Sequence, residues 1–209
     1  MSNHFIREVI VTTESAHGQP HIAPMGVWEE GGLVTLAPFR PSRTLDNVLF
    51  KRLAVVNACD DVRVFAGCLT GRHEWPLIAG VTPGALRLAD AVSHQELELV
   101  RIDDDPLRPR LRCRVTLEQS HRPFIGFNRA RAAVLECAIL VSRLDRLPAD
   151  KIRNELSYLA IAIDKTAGPA EREAWEWLLQ RIETHLSAAP SSPPEVSVQP
   201  VAAPVERRR

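Results

Sequence analysis

The sequence predicts an α+β protein: an antiparallel split β-barrel followed by a C-terminal helical segment. Three observations carry this reading. Residues 1–125 break into short β-rich runs separated by turn residues. After residue 128 the apolar period changes from two to 3.6. The strands are numerous and antiparallel, and closing them on themselves is the natural way to remove edges.

Residues 6–13 are rich in β-branched side chains and are followed by a turn marked by Gly18 and Pro20. Residues 21–28 resume an extended pattern, residues 29–32 (Glu-Glu-Gly-Gly) form a second turn, and residues 33–37 are a third strand. Together they make an antiparallel meander. A helix then follows Ser42, which is a good N-cap, with Leu45, Val48 and Leu49 on its apolar face. Residues 53–57 are a short buried strand, and residues 62–69 fit a helix or a strand equally well. Residues 85–102 and 109–120 form the second β pair around an Asp103-Asp-Asp-Pro106 turn. In its second strand Leu111, Cys113, Val115 and Leu117 alternate with Arg110, Arg112, Arg114, Thr116 and Glu118.

Asn128 can cap a helix running to about residue 144, which Pro148 ends. A second helix covers about residues 149–163, and a third starts at Pro169. Residues 1–125 are therefore expected to be the barrel, and 126–187 helices packed on it or on a dimer partner. Residues 188–209, rich in Pro and Ser, are an expected disordered tail.

Composition narrows the function classes. The 209 residues balance 26 basic against 26 acidic side chains, so no overall charge draws the chain to nucleic acid or to a membrane surface. No apolar run approaches the roughly 20 residues of a membrane helix, and the first residues lack a signal-peptide pattern. A cytoplasmic protein is expected. Cys59, Cys68, Cys113 and Cys137 form no C-x-x-C pair and read as buried free thiols. His17 and His21 flank Gly18 and Pro20 and share no helical face, and the other histidines lack clustered partners, so no metal is expected. No Gly-rich dinucleotide fingerprint and no P-loop is present.

The segment with chemistry is Arg40-Pro-Ser-Arg-Thr-Leu-Asp-Asn47. A helix start offers free N–H groups and partial positive charge, a natural anion site. Ser42 and Thr44 add hydroxyls, and Arg40 and Arg43 add guanidinium geometry suited to phosphate. Thr44 and Asn47, three apart, share a face that the helical wheel separates from Leu45, Val48 and Leu49. That face is expected to remain free for a ligand, so alanine at both positions should weaken binding without disturbing the fold. An ordinary capped surface helix explains the same residues.

A resemblance separates the two. The strand Pro20-His-Ile-Ala-Pro-Met-Gly-Val27, the Arg-x-Ser-x-Thr-x-x-Asn-Val pattern and Leu53-Ala-Val-Val-Asn57 resemble the flavin-reductase and FMN-binding split-barrel superfamily. The resemblance implies FMN, with its phosphate held at Arg40, Ser42, Arg43, Thr44 and Asn47. The main chain of Met25, Gly26 and Val27 would pass beside the flavin ring. Residues 124–144, with a Phe-Asn-Arg-Ala motif, are similar more narrowly to family 447 of domains of unknown function, over about residues 5–187. That family implies a flavin site and a homodimer. It is known in archaea and in bacteria that use tetrahydromethanopterin for one-carbon metabolism.

Asn128, Arg129 and Arg131, at a second helix start, are expected either to reach the phosphate or a substrate anion, or to cap and pair structurally. His21 borders the ring-side strand; Trp28 and Trp75 read as core or interface residues that could also face a flavin. The expected function is an FMN-dependent oxidoreductase of unknown substrate. Its rival is a non-catalytic flavin-binding accessory protein of one-carbon metabolism.

Overall fold

A computed structural model describes residues 4–188. The expected tail lies almost wholly outside them. Eight strands and five helices follow in order: β1 (Arg7–Glu14), β2 (Pro20–Glu30), β3 (Leu33–Leu36), α1 (Arg43–Lys51), β4 (Leu53–Ala58), α2 (Val62–Leu69), β5 (Leu77–Ala79), β6 (Leu86–Leu88), β7 (Ser93–Asp103), β8 (Arg110–Ser120), α3 (Arg129–Val141), α4 (Ala149–Thr166) and α5 (Pro169–Ala188). Six strands close an antiparallel barrel in the order β1-β2-β3-β8-β7-β4, and β5 and β6 form a separate hairpin. The fold is α+β, a β-barrel followed by helices.

The β2–β3 turn uses Gly31 and Gly32 at φ 61° and 74°. Two consecutive positive φ values match the right-handed twist of a tight hairpin, and glycine reaches them without steric cost. Inside the barrel, Val9, Val11, Val27, Val34, Leu36, Val56, Leu97, Leu99, Leu111 and Cys113 form one core. A fully buried aliphatic side chain contributes about 1.5–3 kcal/mol. The alternation along β8 holds: Leu111 and Cys113 point in. Arg112 points out, yet it is buried, bonded to Asp103 at 2.8 Å and to Glu30.

Residues 62–69 are helix. α2 lies between two cores, giving Val62 and Ala66 to the helical layer of α3, α4 and α5, and Val64 and Phe65 to the outer barrel wall. Residues 85–102 are not one strand. β6 ends at Leu88, a turn intervenes, and β7 begins at Ser93.

The β5–β6 hairpin covers the outer face of β1, β4 and β7, and polar side chains dock it. Leu88 N–H donates to Asn57 Oδ1 at 2.9 Å, and Val81 and Thr82 N–H donate to the Glu96 carboxylate at 2.7 Å each. Thr12 Oγ1 donates to Leu86 O.

Candidate functional site

α1 begins where expected. Ser42 is the N-cap, its Oγ accepting from Leu45 N–H at 3.3 Å. Arg52, left-handed at φ 56°, ends the helix. The faces differ from the helical-wheel reading. Thr44 and Asn47 are 3% and 7% exposed, whereas Leu49 is 39% exposed. Asn47 Nδ2 donates to Thr13 Oγ1 at 3.0 Å, tying α1 to β1. Leu45 and Val48 join the barrel core, and Asn47 beside them is buried by its bond to β1. Asn47→Ala should therefore cost about 1–2 kcal/mol of stability, read in urea unfolding, rather than leave the fold untouched.

Thr44 differs from Asn47. Its hydroxyl has no hydrogen-bond partner among the described residues although the side chain is buried at the helix start. Arg43 is exposed and makes no hydrogen bond or ion pair among those residues. Its charge acts on the half-buried His21 of β2. Burial, Arg43 and His73 together hold that imidazole below its usual range. Arg40 pairs with Asp104 at 3.1 Å, both side chains being well exposed. Such a pair contributes little and exchanges readily for a better anion.

β2 is open on one side here. β3 pairs only with residues 28–30 of β2, so the edge of residues 20–27 opposite β1 has no ladder partner. Met25 and Val27 pack with the barrel interior, and a Cβ at Gly26 would stand 2.8 Å from Ile6 Cγ2. Only main chain is left for Met25, Gly26 and Val27 to offer along that edge. A cavity of about 630 Å³ opens beside the start of β2, lined by Pro20, Ile22, His73, Trp75, Pro76 and Leu77. The Trp75 indole is held by its bond to Arg72 O at 3.1 Å.

The second helix start is committed to the fold. Asn128 Oδ1 caps α3 by accepting from Arg131 N–H at 3.0 Å, and its Nδ2 donates to Thr166 O at 3.1 Å. Arg131 bridges Asp60 at 2.9 Å and Glu171 at 3.0 Å. Both side chains are thus engaged within the fold. Arg129 is exposed and unpaired among the described residues.

The four cysteines are free thiols. Burial pushes Cys59, Cys113 and Cys137 up to about 12 and Cys68 to about 11, which removes thiolate reactivity at neutral pH. Among the described residues no three His, Cys, Asp or Glu side chains converge on a metal position, and no helix is long and apolar enough to cross a membrane.

The family models of a protein of unknown function (DUF447) match residues 7–122 with their N-terminal domain and 128–180 with their C-terminal one. The chain belongs to this family. An FMN-bound DUF447 protein of Methanosarcina mazei is 20% identical with a TM-score of 0.72, over 86% of this chain and 96% of that one. Flavoredoxin of Methanosarcina acetivorans is 11% identical, with a TM-score of 0.49 over 60% and 76% of the two chains. An FMN-binding protein of Thermus thermophilus is 14% identical, with a TM-score of 0.49 over 59% and 77%. No curated protein matches. The DUF447 models meet at residues 122–128, where the barrel gives way to the helices.

Sequence reasoning missed what depends on distant partners. His73 gave no signal and Trp75 only that of an aromatic that could face a flavin; their place beside β2 follows from the α2–β5 connection. Asn47 signalled a ligand but is bonded to Thr13.

Proposed function

We propose that this DUF447 chain is a cytoplasmic FMN-binding oxidoreductase that works as a homodimer. The single observation that carries the cofactor assignment is the Thr44 hydroxyl, unpartnered among the described residues yet not sealed from solvent, at the start of α1 beside the unpaired Arg43. A hydroxyl that the fold leaves unpaired and open is free to donate to a bound anion. A phosphate there would accept from Thr44 Oγ1 and from the first N–H groups of α1, with Arg43 giving charge and His21 a further polar wall. The M. mazei relative, FMN-bound, supports the same cofactor.

The flavin ring is placed along the open edge of β2. The free main-chain groups of residues 20–27 can pair with its polar edge, and Trp75, Pro20 and Leu77 offer apolar wall. FMN, when bound, supplies hydride or single-electron transfer. The chain's part is to hold the phosphate, orient the ring and limit access of water. The exposed Phe124, Ile125 and Phe127 give the homodimer an apolar contact surface. The link to tetrahydromethanopterin-dependent one-carbon metabolism rests on the family resemblance.

The test compares FMN with riboflavin, which lacks the phosphate. Arg43→Ala with Thr44→Val keeps the volume of the buried side chain. It should weaken FMN binding by about 10–100-fold, as expected for charge-assisted bonds, and leave riboflavin binding unchanged. Unchanged FMN affinity in that variant overturns the phosphate site. Turnover of the FMN-loaded protein with NADH, NADPH or a deazaflavin donor separates an enzyme from an accessory protein.

A further inference from the structure

The Trp75 indole, in the connection from α2 to β5, is held at two points. α2 ends in a left-handed turn: Gly71 stands at φ 84°, and Arg72 N–H donates back to Gly67 O at 2.9 Å. This return bond fixes the Arg72 main chain against the last turn of the helix. Arg72 O then accepts from the Trp75 indole N–H at 3.1 Å.

Gly67 is the second point. It lies in α2, and its φ is not positive, so the backbone makes no demand for glycine there. Helices disfavour glycine relative to alanine. A Cβ at this position would stand 2.9 Å from Trp75 Cζ2 and 3.0 Å from Arg72 O. The missing side chain therefore makes room for the indole and for the carbonyl that it bonds. The half-buried indole also lines the cavity of about 630 Å³ beside β2, with Ile22, Pro76 and Leu77. A fixed indole on the wall of a pocket this size suits a planar ring.

The helical layer reaches this wall through one side chain. Arg72 Cζ lies 4.3 Å from the centre of the Trp177 ring of α5, within the roughly 6 Å of a cation–π contact. Arg72 Nη1 also donates to Thr70 Oγ1 at 2.9 Å and to Thr70 O at 3.2 Å. The guanidinium has no carboxylate partner among the described residues, so Trp177 is the group that engages its charge. Arg72 thus meets Trp75 with its main chain and α5 with its side chain.

We propose that Arg72 and Trp177 are positioning residues that hold the Trp75 indole as a preset platform for the flavin ring, so that the C-terminal helices tune a ligand site on the barrel. The inference rests on the ring placement proposed above. Arg72 and Trp177 act through Trp75 and not on the ligand. Anchoring the guanidinium limits the swing of the Arg72 carbonyl, and the carbonyl limits the indole. A platform that is already ordered need not be ordered on binding, which favours affinity.

The test uses full-length protein and riboflavin, which has the ring and lacks the phosphate. In ligand-free protein, solvent exchange of the Trp75 indole N–H, assigned by its loss in Trp75→Phe, should quicken about 3-fold in Arg72→Gln and in Trp177→Leu, the size of one exposed cation–π contact. Riboflavin should bind about 3-fold more weakly to each of them, and about 10-fold more weakly to Trp75→Leu, which removes the aromatic face. Arg72 is exposed, so Arg72→Gln should leave the melting temperature unchanged. Added to Trp75→Leu, Arg72→Gln should lower affinity no further, because the side chain it acts through is gone. Indole exchange unmoved by Arg72→Gln, or a loss of affinity that persists on top of Trp75→Leu, would overturn the positioning role and leave the ring placement standing. Riboflavin affinity unchanged in Trp75→Leu would overturn the platform together with the ring placement, whereas the phosphate site has its own test in the Arg43→Ala, Thr44→Val variant.

Discussion

Replacing Arg131 with alanine should lower the unfolding free energy by about 3–5 kcal/mol, the usual cost of removing one partner from a buried ion-pair network. Arg131 of α3 joins Asp60, in the connection between β4 and α2, to Glu171 of α5. The three side chains are 26%, 13% and 10% exposed, so water cannot compensate well for the missing guanidinium. Asp60 would keep Arg122, but Glu171 would be left with only Gly168 N–H, at 3.0 Å. The loss should appear in urea unfolding as a lower midpoint with an unchanged slope. Arg131→Lys should fall between, because one ammonium cannot reproduce the fork that reaches two carboxylates. The effect should depend on pH. Arg122 first, and Arg131 after it, hold the Asp60 carboxyl below its usual 3.8. A lowered folded pKa stabilises above the unfolded value and is lost as pH falls through the folded one. The gap between wild type and Arg131→Ala should therefore be full at neutral pH and narrow below about pH 4. A gap that stays constant into acid would show that Arg131 acts by packing rather than by charge.

The barrel and its helices were legible in the sequence because their signals are local. The β8 alternation, the caps Ser42 and Asn128 and the change of period after residue 128 each need only neighbouring residues. Where the reading failed, the deciding partner is distant. Residues 62–69 lost their period because α2 is covered on two sides, by the barrel and by the helical layer. Thr44 and Asn47 looked like a solvent-facing pair until Thr13, thirty-four residues before Asn47, supplied its partner. His94, Gln95 and Glu96 read as the polar side of an ordinary strand, yet all three are buried. The hairpin that covers His94 and Glu96 is only three residues long in each arm, too short for periodicity to register. The proposed cofactor site has the same division. The helix start announces an anion, whereas the open edge of β2 exists only once β3 has turned away from it.

Glu96→Ala should be as damaging as loss of Arg131, about 3–5 kcal/mol, because it strips the Val81 and Thr82 N–H groups of their acceptor and the buried His94 of its partner. Gly80 provides the sharper test of that docking. A Cβ there would lie 2.2 Å from Glu96 Oε1 and 2.9 Å from the Ala85 methyl. Its φ is not positive, so alanine is free to adopt the backbone and the conflict is purely steric. The carboxylate has no room to yield, since both oxygens are already bonded. Gly80→Ala alone should therefore cost about 1–3 kcal/mol. Combined with Glu96→Ala it should cost clearly less than alone, because the nearer clash is gone and only the 2.9 Å approach to the Ala85 methyl remains. Additive losses in that double variant would mean the hairpin is held by something other than the carboxylate, since the two changes would then act on separate supports. The strong coupling expected instead ties the β5–β6 hairpin to one side chain of β7, and with it the cleft wall that Pro76 and Leu77 provide.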